Sequence, residues 1–148
     1  MSKKSVFLFL FIIQSFISLA QKPDAILGNW MSENKDKIVH IYKANDLYYG
    51  KVVWVKDSSA GKGAGRLDIK NPNASLNNRK IIGINYLLSF AYVSDRNVWK
   101  DGTIYNYETG NSYSAKIHLS ETGDLELTGY YGILWFLGRT QIWTRTNK

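Results

Sequence analysis

The chain has 148 residues, 45% of them hydrophobic, no cysteine and a formal net charge of +7. This length suits one domain with a real core, and the missing thiol excludes disulfides, a cysteine nucleophile and a cysteine-ligated metal. The basic residues are scattered rather than run together, which favours a solvated surface over a nucleic-acid partner.

At the N-terminus, Lys3 and Lys4 precede an unbroken apolar run from Val6 to Ile13, continued by Phe16, Ile17 and Leu19. Ser18-Leu19-Ala20 then offers small residues at the positions a signal peptidase reads. The pattern predicts a signal peptide over 1–20, removed after Ala20, and a mature protein in the periplasm or secreted. As a membrane span the run is short of the about 20 residues needed, and Gln14 and Ser15 interrupt it. No cysteine follows it for lipoprotein anchoring, and no later segment is apolar enough to span. Cleavage leaves residues 21–148 as a single domain of charge +5, because Lys3 and Lys4 depart and no acid does.

The mature chain reads as β almost throughout, with strands predicted over 26–33, 36–43, 46–56, 80–84, 86–93, 98–107, 111–120, 124–132 and 137–146. Over 112–119, Tyr113, Ala115, Ile117 and Leu119 alternate with Ser112, Ser114, Lys116 and His118, a period of two with one face buried. Leu125, Leu127, Gly129 and Tyr131 repeat the pattern against polar partners. Turn residues at 33–36, 43–46, 108–111 and 121–124 separate these runs, so neighbouring strands pair antiparallel. Eight or nine such strands close into an up-and-down barrel, which removes exposed edges.

Residues 57–79 break the rhythm. Ser58 to Gly65 is flexible by composition, and Leu67 to Leu76 can hold a helical turn capped by Asn73. A loop this long in a compact domain is usually functional, and it reads as a flap at one barrel mouth. Asp68 and Asn71 offer oxygen ligands, but without the acid density of a calcium loop they fit Asx turns better. Asn73-Ala74-Ser75 also fits a glycosylation sequon, a pattern common by chance.

At the two ends of the mature chain, Gly28-Asn29-Trp30 and Trp143-Thr144-Arg145 fall on strands that neighbour each other in a closed barrel. The Arg145 guanidinium can stack on the Trp30 face there, a contact worth about 0.5–2 kcal/mol. The pair resembles the Gly-x-Trp and C-terminal Arg signature of the lipocalin and avidin superfamily, a structural closure by Gly28, Trp30, Trp143 and Arg145. On the last strand Arg139 and Gln141 share the face of Trp143, so an inward Trp143 brings both toward the opposite mouth. A buried Arg needs a partner, either a ligand headgroup or an internal acid, unless a bulge turns Arg139 to solvent.

No cofactor, metal or catalytic residue is expected. Gly61-x-Gly63-x-Gly65 lacks the Lys-Ser/Thr pair of a phosphate loop, His40 and His118 have no metal-spaced neighbour, and no Gly-x-Ser-x-Gly elbow exists. The carboxylates are scattered, which gives a glycosidase pair no support.

Trp99-Lys100-Asp101-Gly102-Thr103-Ile104-Tyr105-Asn106, followed by Gly110-Asn111-Ser112-Tyr113, resembles the Trp-x-x-Gly-x-Ile-Tyr-Asp-Pro…Gly-x-x-Tyr run of the bacterial domain of unknown function 2147 family. Asp24 to Trp30, Gly50 to Val55, Leu67-Asp68 with Asn71-Pro72, Gly129-Tyr130 with Gly132, Gly138 to Gln141 and Trp143 to Arg145 match in order. Asn106-Tyr107 replaces the Asp-Pro, Asp101 replaces a Gly, and Lys43-Ala44 and Tyr49 stand where some members resemble a cysteine pair. The resemblance implies an exported, lipocalin-like protein without an assigned activity. The leading expectation is a small barrel that binds a hydrophobic or amphipathic molecule, with Arg139, Gln141, Trp54, Tyr105 and Tyr113 as ligand-binding candidates and Asp68 and Asn71 in the covering loop. The alternative is an envelope protein- or glycan-interaction module with a solid core, and an enzymic role is the weakest reading.

Overall fold

A computed structural model of the chain describes residues 22–57, 63–132 and 137–148, so the predicted signal peptide lies outside the described residues. Eight antiparallel strands close into a barrel in simple sequence order. They are β1 Gly28–Met31, β2 Lys37–Ala44, β3 Leu47–Val55, β4 Asn85–Val93, β5 Val98–Asn106, β6 Asn111–Leu119, β7 Leu125–Tyr130 and β8 Arg139–Arg145. Closure is made by β1 against β8, with Trp30 opposite Arg145 and Met31 opposite Thr144. Among the described residues no helix is long and apolar enough to cross a membrane.

The period-two strands do what their sequence dictates. In β6, Ala115, Ile117 and Leu119 are buried while Lys116 and His118 face water. They pair with β7 so that Ala115 meets Gly129 and Ile117 meets Leu127. Other strands carry bulges that switch which parity points inward. The β2–β3 register shifts between Ile38 and Val39, and the β5–β6 register shifts between Trp99 and Gly102, where Asp101 takes a φ of 60°.

One predicted strand is absent. Residues 80–84 form a turn, with the Ile84 N–H donating to the Ile81 carbonyl at 3.1 Å, and only an isolated bridge joins Lys80 to Leu67. Ile81 and Ile84 are both buried in the core. Two apolar residues three apart meet the same core through a turn, whereas a strand would send them to opposite faces. The first predicted strand is also shorter than expected, because Pro23–Ile26 forms a 3₁₀ turn ahead of it.

That turn closes one end of the barrel. The indole N–H of Trp99 donates to the Pro23 carbonyl at 3.0 Å, that of Trp30 to Ile26 at 2.8 Å, and the Tyr48 hydroxyl to Asp24 at 2.7 Å. The Tyr48 hydroxyl holds the Asp24 carboxyl below the usual carboxylate range, against the effect of burial and with help from Lys43. Arg145 donates to the carbonyls of Leu27 and Ala25 at 2.8 and 2.7 Å, and its Cζ stands 4.3 Å from the Trp30 ring centroid. Gly28, at φ 118°, lies where a Cβ would come within 3.0 Å of the Arg145 guanidinium. Above this plug Trp30, Trp99, Trp143, Tyr48 and Phe90 are almost fully buried and fill the interior. Each such ring contributes on the order of 1.5–3 kcal/mol by leaving water.

Candidate functional site: the open mouth of the barrel

The filling stops short of the opposite end. There a recess of about 350 Å³ opens between the strands. Its apolar lining comes from Ile104 on β5, Leu127 on β7 and Tyr86 on β4, with Gly129 leaving room on β7. Its polar lining comes from Arg139 and Gln141 on β8, Asn106 on β5 and Tyr113 on β6. Tyr130, Tyr131 and Leu137 complete it at the β7–β8 connection, and Tyr131 and Leu137 are 70% and 68% exposed. The volume sits at the lower end of the range for small-molecule pockets, about 300–1,000 Å³.

The floor is ordered by aromatic packing. Tyr86 lies 5.8 Å from Trp143 and 6.0 Å from Tyr107, centroid to centroid, and the Lys37 ammonium stands 5.5 Å from the centre of the Tyr86 ring. Burial pushes the hydroxyls of Tyr86 and Tyr107 well above the usual tyrosine range, and the nearby charges of Asp36 and Glu108 add to it. Both therefore stay neutral at any physiological pH. Asp36 is paired with Lys37 at 2.7 Å and Glu108 with Arg66 at 2.9 Å.

Of the residues singled out from sequence, Arg139, Gln141 and Tyr113 come together at this recess, and Trp143 lies directly beneath Gln141. The Trp143 indole N–H donates to the Gln141 side-chain oxygen at 3.0 Å. Trp54 and Tyr105 are not brought here. Trp54 pairs with Ile38 and lies under the Lys148 ammonium, 4.8 Å from its ring centroid. The bulge in the β2–β3 ladder sends Val55 rather than Trp54 inward. Tyr105 likewise faces away from the interior, because the bulge at Asp101 gives the inward positions to Gly102 and Ile104. Its hydroxyl donates to Asp68 at 2.6 Å.

Asp68 is the hub of a second polar cluster. Its side chain is fully buried, and it accepts from Tyr105, from Arg79 Nε at 2.9 Å and Nη2 at 2.8 Å, and from Asn71 at 2.8 Å. Burial and the bond to Asp68 push the Tyr105 hydroxyl up to about 12. Asn73 caps the predicted turn Ala74–Leu76 by accepting from the Ser75 N–H at 3.1 Å. The loop is thus strapped to the outer wall and to the β5–β6 turn, where Arg66 holds Glu108. Of the expected flap over the mouth, no residue of 63–84 lines the recess, and 58–62 lie outside the described residues.

A wall groove of about 530 Å³ runs beside this clasp, lined by Arg79, Asn85, Leu88, Ser89, Thr103, Tyr105 and Ser112. It mixes hydroxyl and amide groups with Leu88 on the outer wall, whereas the mouth recess, lined by the inward-facing Ile104 and Leu127, opens from the barrel interior and is the candidate small-molecule site. Among the described residues no three His, Asp or Glu side chains are grouped to hold a metal. The mouth recess was half legible from sequence. Alternation placed Leu127 and Gly129 with Leu125 on the inner face, whereas Tyr86 and Ile104 follow irregular ladders that a period of two does not reveal.

Comparison with known proteins places these features. Residues 28–145 match the family described as uncharacterized protein conserved in bacteria, DUF2147. No curated protein matches the chain. Among solved structures, protein HP1028 from the human pathogen Helicobacter pylori, described as belonging to the lipocalin family, is similar with a TM-score of 0.71 and 25% sequence identity, over 82% of this chain and 83% of that one. With its closed eight-stranded meander, this chain belongs to the DUF2147 family of bacterial proteins and has a lipocalin-like fold.

Proposed function

We propose that this protein binds a small hydrophobic or amphipathic molecule in the recess at the open mouth of its barrel. The observation that carries the reading is the contrast within one interior. The closed end is packed with tryptophans, while the open end keeps about 350 Å³ free above Ile104, Leu127 and Tyr86. A cleft with an apolar floor and a few convergent polar groups is the usual form of a small-molecule site. The lipocalin-like fold is compatible with that use. The basic and apolar N-terminal segment supports a place of work in the periplasm or outside the cell.

Titration with a panel of lipophilic fluorescent probes tests the proposal. Saturable binding of at least one probe at one site per chain is expected, and its absence across the panel would remove the idea. The filled closed end favours a second reading, in which the barrel is a rigid support and its outer wall or loops bind an envelope protein or glycan. Immobilised protein that captures cell-wall glycan while binding no probe would favour that reading instead.

A further inference from the structure

Three polar side chains of the mouth recess, Gln141, Asn106 and Arg139, present the same hydrogen-bonding sense. An indole N–H only donates, so the contact from Trp143 at 3.0 Å fixes the Gln141 amide with its oxygen toward the indole. The Gln141 NH₂ is thereby left as the group available to a ligand. The same constraint acts on Asn106. Its side-chain oxygen accepts the Glu108 backbone N–H at 2.9 Å, which leaves its NH₂ as the free end. Arg139 can only donate, and among the described residues no acid or carbonyl engages its guanidinium. Tyr113 adds a hydroxyl that can donate or accept. Among the described residues no carboxylate lines the recess. The nearby acids are held in ion pairs of their own, Asp36 with Lys37 and Glu108 with Arg66.

A rim of donors around an apolar floor selects a ligand with acceptors at one end. Granting the pocket reading above, on which this rests, we infer that the ligand is an amphipath with an oxyanion head, a carboxylate or a phosphate monoester. Arg139 and the amide NH₂ groups of Gln141 and Asn106 receive the head, and Ile104 and Leu127 receive the apolar part. An ammonium head finds no carboxylate here and meets the Arg139 charge. An uncharged hydroxyl head satisfies one donor and leaves the others to water.

The test is calorimetric titration of the full mature chain with decanoate, decyl phosphate, decanol and decylamine, which share one tail. The expected result is that an oxyanion binds about tenfold or more tighter than decanol, the scale of one charge-assisted hydrogen bond at a partly exposed site. Decylamine is expected to be weakest. Whichever of the two acids binds tighter identifies the head group. In Arg139→Gln, an exposed position, the preference for oxyanion over decanol is expected to fall about tenfold while decanol affinity is retained. Decanol or decylamine binding as tightly as the acids, or an unchanged preference in Arg139→Gln, overturns the head-group assignment and leaves the pocket standing. Failure of all four to bind, joined by failure of the fluorescent probes, removes the pocket itself.

Discussion

Replacing Asp68 by alanine isolates the clasp that straps the loop to the barrel wall. The carboxylate is fully buried and holds three partners, Tyr105, Arg79 and Asn71. Removing one member of a buried ion pair costs about 3–5 kcal/mol, because the other charge is stranded. The Arg79 side chain is 37% exposed, so water rehydrates much of its guanidinium and the lower end applies. The buried Tyr105 hydroxyl loses its acceptor, a penalty of about 1–3 kcal/mol that overlaps the first. Together these give a loss of about 3 kcal/mol in Asp68→Ala. Urea unfolding at neutral pH measures it, with amide hydrogen exchange over 66–81 reporting whether the loop opens locally or the whole fold weakens. Tyr105→Phe alone is expected to cost about 1 kcal/mol, and its cycle with Asp68→Ala to show coupling of about 1 kcal/mol or more. A loss below about 1 kcal/mol, with loop exchange unchanged, would refute the view that Asp68 organises this segment.

Arg145→Lys loses the paired bonds to Leu27 and Ala25 and the flat stacking on Trp30; about 1–2 kcal/mol of stability is expected to go, read by thermal unfolding. Gly102→Ala places a methyl against the Phe90 ring, which is fully buried, so overpacking of about 1–3 kcal/mol is expected in denaturant unfolding. Burial, joined by nearby acids, raises the folded-state values of Tyr48, Tyr86, Tyr105 and Tyr107. The sign follows directly: the stability they contribute is complete below the unfolded value of about 10 and is lost as pH rises through the folded values. Tyrosinate absorbance in the native protein is therefore expected to show these four of the ten tyrosines still protonated above the usual tyrosine range, and their ionising within that range would contradict it.

Sequence pattern carried the architecture furthest where strands are regular. The alternation in β6 and β7 put Ala115, Ile117, Leu125 and Leu127 inside without ambiguity, and the distant Trp30 and Arg145 met because a closed barrel joins its first and last strands. On β8 the same parity gathered Arg139 and Gln141 on the face of Trp143. Bulges are where the pattern lost its grip. A one-residue insertion reverses every side chain beyond it, so Trp54 left the face of Val52 and Tyr105 left that of Trp99. The 80–84 segment failed for a related reason. Its isoleucines are rich in β propensity, but tertiary packing through a turn overrode it. Of the partners of Asp68, Asn71 is local, three residues on, but Arg79 and Tyr105 lie 11 and 37 residues away, and no local spacing encodes their meeting.

Amide chemical-shift mapping of the isotope-labelled chain, titrated with a bound probe or acid, tests most directly whether the barrel mouth is the binding site. Changes are expected to concentrate at Tyr86, Ile104, Asn106, Tyr113, Leu127 and Gln141. Changes confined to the outer wall around Arg79, Ser89, Thr103 and Ser112, with the mouth residues unmoved at saturation, would contradict it.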